Sequence, residues 1–446
     1  MKSRFQALRL LICTGALLLL AMGCNDTLRQ FITPIPPPTG DPAALAHGIT
    51  LSTNPVPSAD GSDMHIDVSG DSSVGVVPVG INPVFLGKSS NRIFSINSGD
   101  SSTPPTVSVY TALLPQSAIV TTVTLPNAAG NPVAGGTSSA GNIYIANSVS
   151  NAVDVISGTV LAVTATLLVG SQPVMVAGNA SNNQIFVVNH GDNTVTQVST
   201  IDNTVVKNIP VGAQPIWGVM STDGLFVFIV NQGDGTVSVI DTSLQSVIAT
   251  IPVGITPATA SPNFAFYESK LKRVYVSNTG EGTISVIKAD SISSTNLPVK
   301  LKDIPVSGTP ASVTALSDGS KAYAALGNCP AGVNHLTIIG TLGSCNGNRV
   351  SVIDAIGLRE IRTISVGTGA VSIDSSSDAS RVFVVNAHDS VTGSSGTHTA
   401  GTISDIRTST DTEVARKLAP QQDPNCKVSS TVFCPTQTPF VVRTFP

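Results

Sequence analysis

The sequence predicts an all-β chain, a β-propeller of four-stranded antiparallel blades. Three observations carry that expectation. A short apolar strand closing in Asn recurs: IFSIN to Asn97, IYIAN to Asn147, IFVVN to Asn189, FIVN to Asn231, VYVSN to Asn278 and VFVVN to Asn386. The steps Asn147 to Asn189 and Asn189 to Asn231 are both 42 residues. Each period carries four strand signals. A sheet repeated at a fixed period in the forties covers its two faces with its neighbours, which is how propeller blades pack around an axis. The composition agrees: 11% of the 446 residues are charged, 4% are aromatic, and Gly, Ser, Thr and Val abound.

The stretch Phe228–Gly254, FIVNQGDGTVSVIDTSLQSVIATIPVG, shows the unit in full. Phe228–Asn231 completes strand B, which begins at Leu225. Gln232–Gly235 is a turn around Asp-Gly. Thr236–Ile240 alternates small polar and β-branched residues and reads as strand C. Asp241–Gln245 turns again, and Ser246–Ile251 is strand D. Pro252, Gly254 and Pro257 punctuate the exit. Ile216–Ser221 precedes the unit as the innermost strand A.

Seven A–B hairpins can be counted, each followed by a C–D pair. Tyr323-Ala324-Ala325-Leu326 is a degenerate copy, with Leu326 where Asn is expected. Two pieces remain. HIDVSGDSSVGVVPVG (His65–Gly80) aligns without a gap on Val239–Gly254 and so reads as a C–D pair, with Gly48–Thr53 as its B strand. TPFVVRT (Thr438–Thr444) reads as an A strand. Together they predict an eighth blade closed by both termini, which removes exposed sheet edges. The alternative is seven blades with the termini packed outside.

The bodies YVSNTGEGTISVI (Tyr275–Ile287) and FIVNQGDGTVSVIDT, with the exits IPVGAQP and IPVGITP, resemble the YVTN-type propeller repeats of surface-layer-like and other exported bacterial proteins. The resemblance covers almost all of residues 48–444. It implies the fold and no single activity, since propellers host many. Leu326 departs from the pattern, as does Arg407 where Asp is expected.

The N-terminus predicts export. Lys2, Arg4 and Arg9 precede an apolar run, Leu10–Met22, which ends in Leu20-Ala21-Met22-Gly23-Cys24. This resembles a bacterial lipoprotein signal and its lipobox, and the resemblance implies that residues 1–23 are removed and Cys24 is lipidated. The alternative is an ordinary secretory signal; either takes the chain out of the cytoplasm. Residues 24–47, with IPPPTGDP, form a Pro-rich tether. Residues 48–446 form the single propeller domain. No later run approaches the ~20 apolar residues of a membrane span. Residues 1–23 carry three basic and no acidic residues, so the remainder balances 20 Lys+Arg against 27 Asp+Glu, a net −7. Nucleic acid demands the opposite sign.

Four cysteines lie in stretches without strand pattern. In an exported chain, their spacings suggest disulfides Cys329–Cys345 and Cys426–Cys434. Cross-pairing stays open, and zinc is the alternative reading. The recurring Asn of strand B and Asp of strand C (Asp67, Asp241, Asp354) read as structural, fixing turns through backbone N–H groups.

No catalytic, metal or cofactor site is expected. The seven inner strands, read as VFLGKSS, VAGGTSS, VMVAGNA, IWGVMST, TASPNFA, SVTALSD and VSIDSSS, offer only Lys88, Asp318 and Asp374 as ionisable groups. General acid–base or metal chemistry needs several convergent ligands. Insertions instead gather on the B–C and D–A face: Asn97–Val107, Leu326–Val350, Asn386–Ile403 and Ala419–Gln437. That face holds the four cysteines and the binding candidates His190, His335, His388, Asp389 and His398. Trp217, the sole Trp, lies just inside it and reads as core before ligand platform. Shortening Gly327–Gly347 is expected to leave the fold intact. The expected function is a monomeric, lipid-anchored, non-enzymatic scaffold of the cell envelope, periplasmic or surface-exposed, that binds a protein or glycan. The alternatives are a lactonase- or lyase-like enzyme, a metal-binding propeller, or a structural surface-layer component.

Overall fold

A computed structural model of the chain describes residues 47–67, 72–89, 92–111, 119–126, 130–179, 182–290, 292, 296–334, 340, 342–393, 396–429 and 432–445. The signal segment, Cys24, the tether as far as residue 46, and His335 lie outside the described residues. Eight four-stranded antiparallel sheets are present, each ordered A–B–C–D, and the A strands of successive blades neighbour one another around a central axis. Blades one to seven follow the chain. No helix among the described residues is long and apolar enough to cross a membrane.

Blade four realises the sequence unit. Its strands are Pro215–Met220, Phe226–Asn231, Thr236–Asp241 and Ser246–Pro252. Strand B is buried on both faces, because blades lie against both, and its aromatic residue fills the space between them. Phe94, Tyr144, Phe186, Phe228, Tyr275, Tyr323 and Phe383 all hold this place and are almost wholly buried. Strand D lies at the rim and alternates instead, as in Thr412–Leu418. The Asp-Gly turn needs its glycine: Gly235 has φ 65°, and a Cβ there would meet the Pro257 carbonyl oxygen at 1.9 Å.

The recurring Asn is structural, but through different partners from those expected. Asn231 Nδ2 donates to the Thr236 and Ser238 hydroxyls at 2.9 Å each, so it bonds strand C side chains and not turn N–H groups. Asn97, Asn189, Asn278 and Asn386 repeat the pattern. The Asp of strand C behaves as expected: Asp241 Oδ1 accepts the Ser243 and Leu244 N–H groups at 2.9 Å.

Blade eight closes the ring. Its A strand is Thr438–Phe445 from the C-terminus, and its B, C and D strands are His47–Thr53, Asp60–Asp67 and Ser72–Ile81. Thr50 faces Val442 in the antiparallel register. Polar ties hold the blade on both sides. Val442 N–H donates to Ser372 Oγ at 3.1 Å and Thr444 N–H to Asp374 Oδ2 at 2.9 Å, both in blade seven. On the other side the Tyr110 hydroxyl of blade one donates to buried Asp63. Burial pushes Asp63 well above the usual carboxylate range.

Other blades are tied in the same spirit. On the A–B and C–D face, basic residues opening strand B reach carbonyls of the next blade's C–D turn: Arg92 to Gly158 at 2.7 Å, Arg273 to Ala355, Lys321 to Thr408 at 2.9 Å. On the opposite face, acids of the B–C turns accept N–H groups from the preceding D–A turn. Asp192 takes Ser171 at 2.8 Å, Asp234 takes Ala213 at 2.9 Å, and Glu281 takes Ile255 and Thr256 at 2.7 Å.

Two local readings are corrected. The inner strand of blade five is Pro262–Glu268 and not the stretch around Thr259–Ala265. A helical turn, Pro257–Ala260, followed by Ser261 with φ 45°, delays its start. The blade-seven insertion is no loop either. Strands B and C run on as Arg381–Gly393 and Gly396–Arg407, so most of the insertion is an extended hairpin beyond a bulge at Asn386–Asp389.

Candidate functional site

Both expected disulfides form, Cys329–Cys345 and Cys426–Cys434. They fit an oxidising, extracytoplasmic compartment. The two stapled loops do different things.

Residues 327–334 of the blade-six insertion cross the B–C and D–A face toward blades four and five. Gly332 N–H donates to Ser261 Oγ at 3.1 Å, and Asn334 Nδ2 to Gln232 Oε1 at 3.0 Å. Cys329, Val333, Leu342 and Cys345 are buried against blade seven and its neighbours. Shortening this loop would uncover that core, so a loss of stability is expected where the sequence suggested an intact fold.

The 419–437 connection folds back on itself, with Gln437 N–H on the Pro420 carbonyl at 2.7 Å and Gln422 N–H on Pro435 at 2.9 Å. It is anchored to blade eight through Asn54 Nδ2 on the Gln422 carbonyl at 3.1 Å and Ser62 Oγ on Gln437 Oε1 at 2.7 Å. His398, on the extended hairpin, stacks on Phe433 at 4.2 Å with the rings nearly parallel. Between this loop, the hairpin and blade eight lies a groove of about 490 Å³, lined mostly by apolar side chains that include Met64, Val76, Val391, Leu418, Val428 and Phe433. Leu418 is 47% and Val428 64% exposed. Single exposed apolar residues are ordinary; here several converge on one concavity.

The binding candidates do not form one cluster. His388, Asp389 and His398 all lie on the blade-seven hairpin. The Asp389 carboxylate is committed: it accepts Thr368 N–H at 3.1 Å, Ser390 N–H at 2.9 Å and Arg416 Nη1 at 3.0 Å, and so repeats the turn-bracing role of Asp234. His388 is half-buried, and burial lowers its pKa against the opposing charge of Asp389. His190 sits apart, in the B–C turn of blade three, with Nδ1 3.2 Å from the Pro215 carbonyl. Trp217 is 5% exposed, donates Nε1–H to the Ala265 carbonyl at 3.1 Å and packs on Phe264 at 4.6 Å.

The axis holds a second cavity. A chamber of about 380 Å³ follows the C-terminal halves of the inner strands, toward the A–B turns. A smaller one of about 50 Å³ follows their N-terminal halves and is bordered by Asn334 of the stapled loop. Trp217, Phe264 and Arg443 border both and form the partition. Of the three ionisable residues read from the inner strands, Lys88 and Asp374 line the larger chamber, while Asp318 sits in an A–B turn bound to Ser320. Arg443 also lines the chamber, from the closing strand, which lies outside the seven inner strands whose ionisable residues the sequence names. Tyr267 was missed through the misplaced start of the blade-five strand.

Asp374 is no free base. Its Oδ2 accepts Thr444 N–H and Oγ1, and its Oδ1 accepts Ser375 N–H at 3.0 Å and Thr314 Oγ1 at 3.3 Å. Burial raises its pKa, with Arg443 opposing. Among the described residues no three His, Cys, Asp or Glu side chains converge as a metal site.

No protein-family model matches the chain, and no curated protein matches it in sequence. Solved structures do. Dihydro-heme d1 dehydrogenase NirN is similar over 91% of this chain and 76% of its own, at 14% identity and a TM-score of 0.61. The periplasmic gluconolactonase PpgL of Pseudomonas aeruginosa covers 72% of this chain and 97% of itself, at 15% identity and a TM-score of 0.53. A putative 6-phosphogluconolactonase from Bacteroides fragilis covers 73% and 96%, at 16% identity and 0.53. At these identities the likeness is one of fold: the chain is an eight-bladed β-propeller, and similarity to propeller enzymes does not carry their activities with it.

Proposed function

We propose that the chain is a non-enzymatic binding propeller of the cell envelope, which docks an apolar segment of a protein partner in the groove between the blade-seven hairpin, the 419–437 loop and blade eight. The groove itself is the observation that carries this reading. Its walls come from parts of the chain far apart in sequence, and one of them is fixed by the Cys426–Cys434 bridge and the His398–Phe433 stack. Rigid walls lower the ordering cost of binding. A lining this apolar suits a protein segment better than a glycan, which would call for more convergent polar groups. The lipobox-like Cys24 and the YVTN-like repeats support a lipid-anchored envelope location, with the acyl chain as the membrane contact.

The test is saturable binding of the purified propeller to envelope fractions. Leu418→Asp and Val428→Asp place charges in the groove and should each weaken binding roughly tenfold. Both positions are exposed, so melting should not change. Leu244→Asp, in an exposed C–D turn on the other face, should bind like wild type. Protease treatment of the fraction should abolish capture. Groove variants that bind normally, or capture that survives proteolysis, would overturn the reading.

A further inference from the structure

The axial chamber has a chemistry of its own, separate from the groove. Its wall from blades four and five is aromatic and apolar, with Trp217, Met220, Phe264, Phe266 and Tyr267. Burial, with Asp223 and Glu268 nearby, pushes Tyr267 up to about 12, so its hydroxyl stays neutral. The corner from blades seven and eight carries Asp374 and Arg443, and blade one adds Lys88. Two cationic side chains therefore face one carboxylate, whose acceptor positions are taken by neighbouring hydroxyl and backbone donors.

Arg443 is the group left with capacity. Its guanidinium carbon lies 5.9 Å from the Phe264 ring centroid, and Nη1 donates to the Val442 carbonyl at 3.2 Å. No carboxylate lies within ion-pair distance of it among the described residues. An Arg carries five N–H donors in a planar fork that suits a carboxylate bidentately, and its one nearby anion, Asp374, lies beyond pairing distance with its own oxygens already taken. The chamber volume, about 380 Å³, falls in the range of small-molecule sites.

We infer that the axial chamber binds a small planar molecule bearing a carboxylate, with the anion on the guanidinium of Arg443 and the apolar body against Trp217, Phe264 and Phe266. The carboxylate supplies the direct ion pair that Asp374 does not make with Arg443, and the aromatic wall supplies the contact area. Asp374 acts as a positioning residue: it holds the closing strand at Thr444, next to Arg443, and so fixes where the fork sits.

The experiment titrates naphthoate, and in parallel the uncharged naphthamide, into the folded propeller. Calorimetry gives affinity. Trp217, the only Trp of the chain, gives a site-specific fluorescence readout. Naphthoate should bind roughly tenfold or more tightly than naphthamide, the difference expected of a charge-assisted hydrogen bond. Arg443→Gln should remove that preference while leaving naphthamide binding in place, and Arg443→Lys should keep part of it. Val428→Asp, in the groove, should leave naphthoate binding unchanged, so failure of one site is distinguishable from failure of the other. Equal binding of acid and amide to the wild type would overturn the inference, whether or not Arg443→Gln folds. So would binding without any change in Trp217 emission, or a preference that survives in folded Arg443→Gln.

Discussion

Deleting residues 438–446 should collapse the closing blade and lower the melting temperature of the whole ring. The deletion removes buried Phe440 and Val442 and uncovers Ile49 and Leu51, which become part of an unpaired edge strand. It also removes the antiparallel ladder to His47–Thr53 and the Thr444 bonds to Asp374. Two large apolar side chains and a strand's worth of hydrogen bonds amount to roughly 5 kcal/mol or more, a sizeable part of a typical domain's net stability. Thermal unfolding of the full-length and truncated domains checks this. An unchanged melting curve would mean that the ring closes without the C-terminal strand.

Phe228→Ala should cost about 3–5 kcal/mol, the usual range for emptying a buried aromatic site. Phe228 is completely buried between blades and lies 6.1 Å from the Tyr267 ring. Each blade packs only against its neighbours, so the vacated space cannot be refilled from a shared centre. Denaturant unfolding measures the loss, with exposed Leu244→Ala as the near-neutral control. A cost below about 1 kcal/mol would show that the strand B aromatics do not carry the inter-blade packing.

The fold was legible because the same physical problem is solved eight times. Strand B must be apolar on both faces, it must end in a turn, and the exit must shed hydrogen bonding; a period then appears whatever the ligand. The closing blade was legible from the ungapped match of His65–Gly80 to Val239–Gly254. The blade-five inner strand was misplaced because Pro257 reads as an exit signal but also opens a helical turn, which pushes the strand to Pro262. The sites were much less legible. Arg443 lies on a strand whose role in closure is evident, but whose inward direction only the ring reveals. The groove residues Met64, Val391, Leu418 and Phe433 share no motif and meet only through closure. Asp389 reads from the sequence as a binding-face candidate, whereas its carboxylate braces a turn in the same way as Asp192 and Asp234.

Amide hydrogen exchange of the propeller, alone and on protease-sensitive envelope partner, tests the docking account most directly. The account predicts added protection confined to peptides from the blade-seven hairpin, 387–401, and from 417–437, with the A–B and C–D turns unchanged. Protection gained at those turns instead, with the hairpin and the 417–437 peptide exchanging as in the free protein, would contradict it.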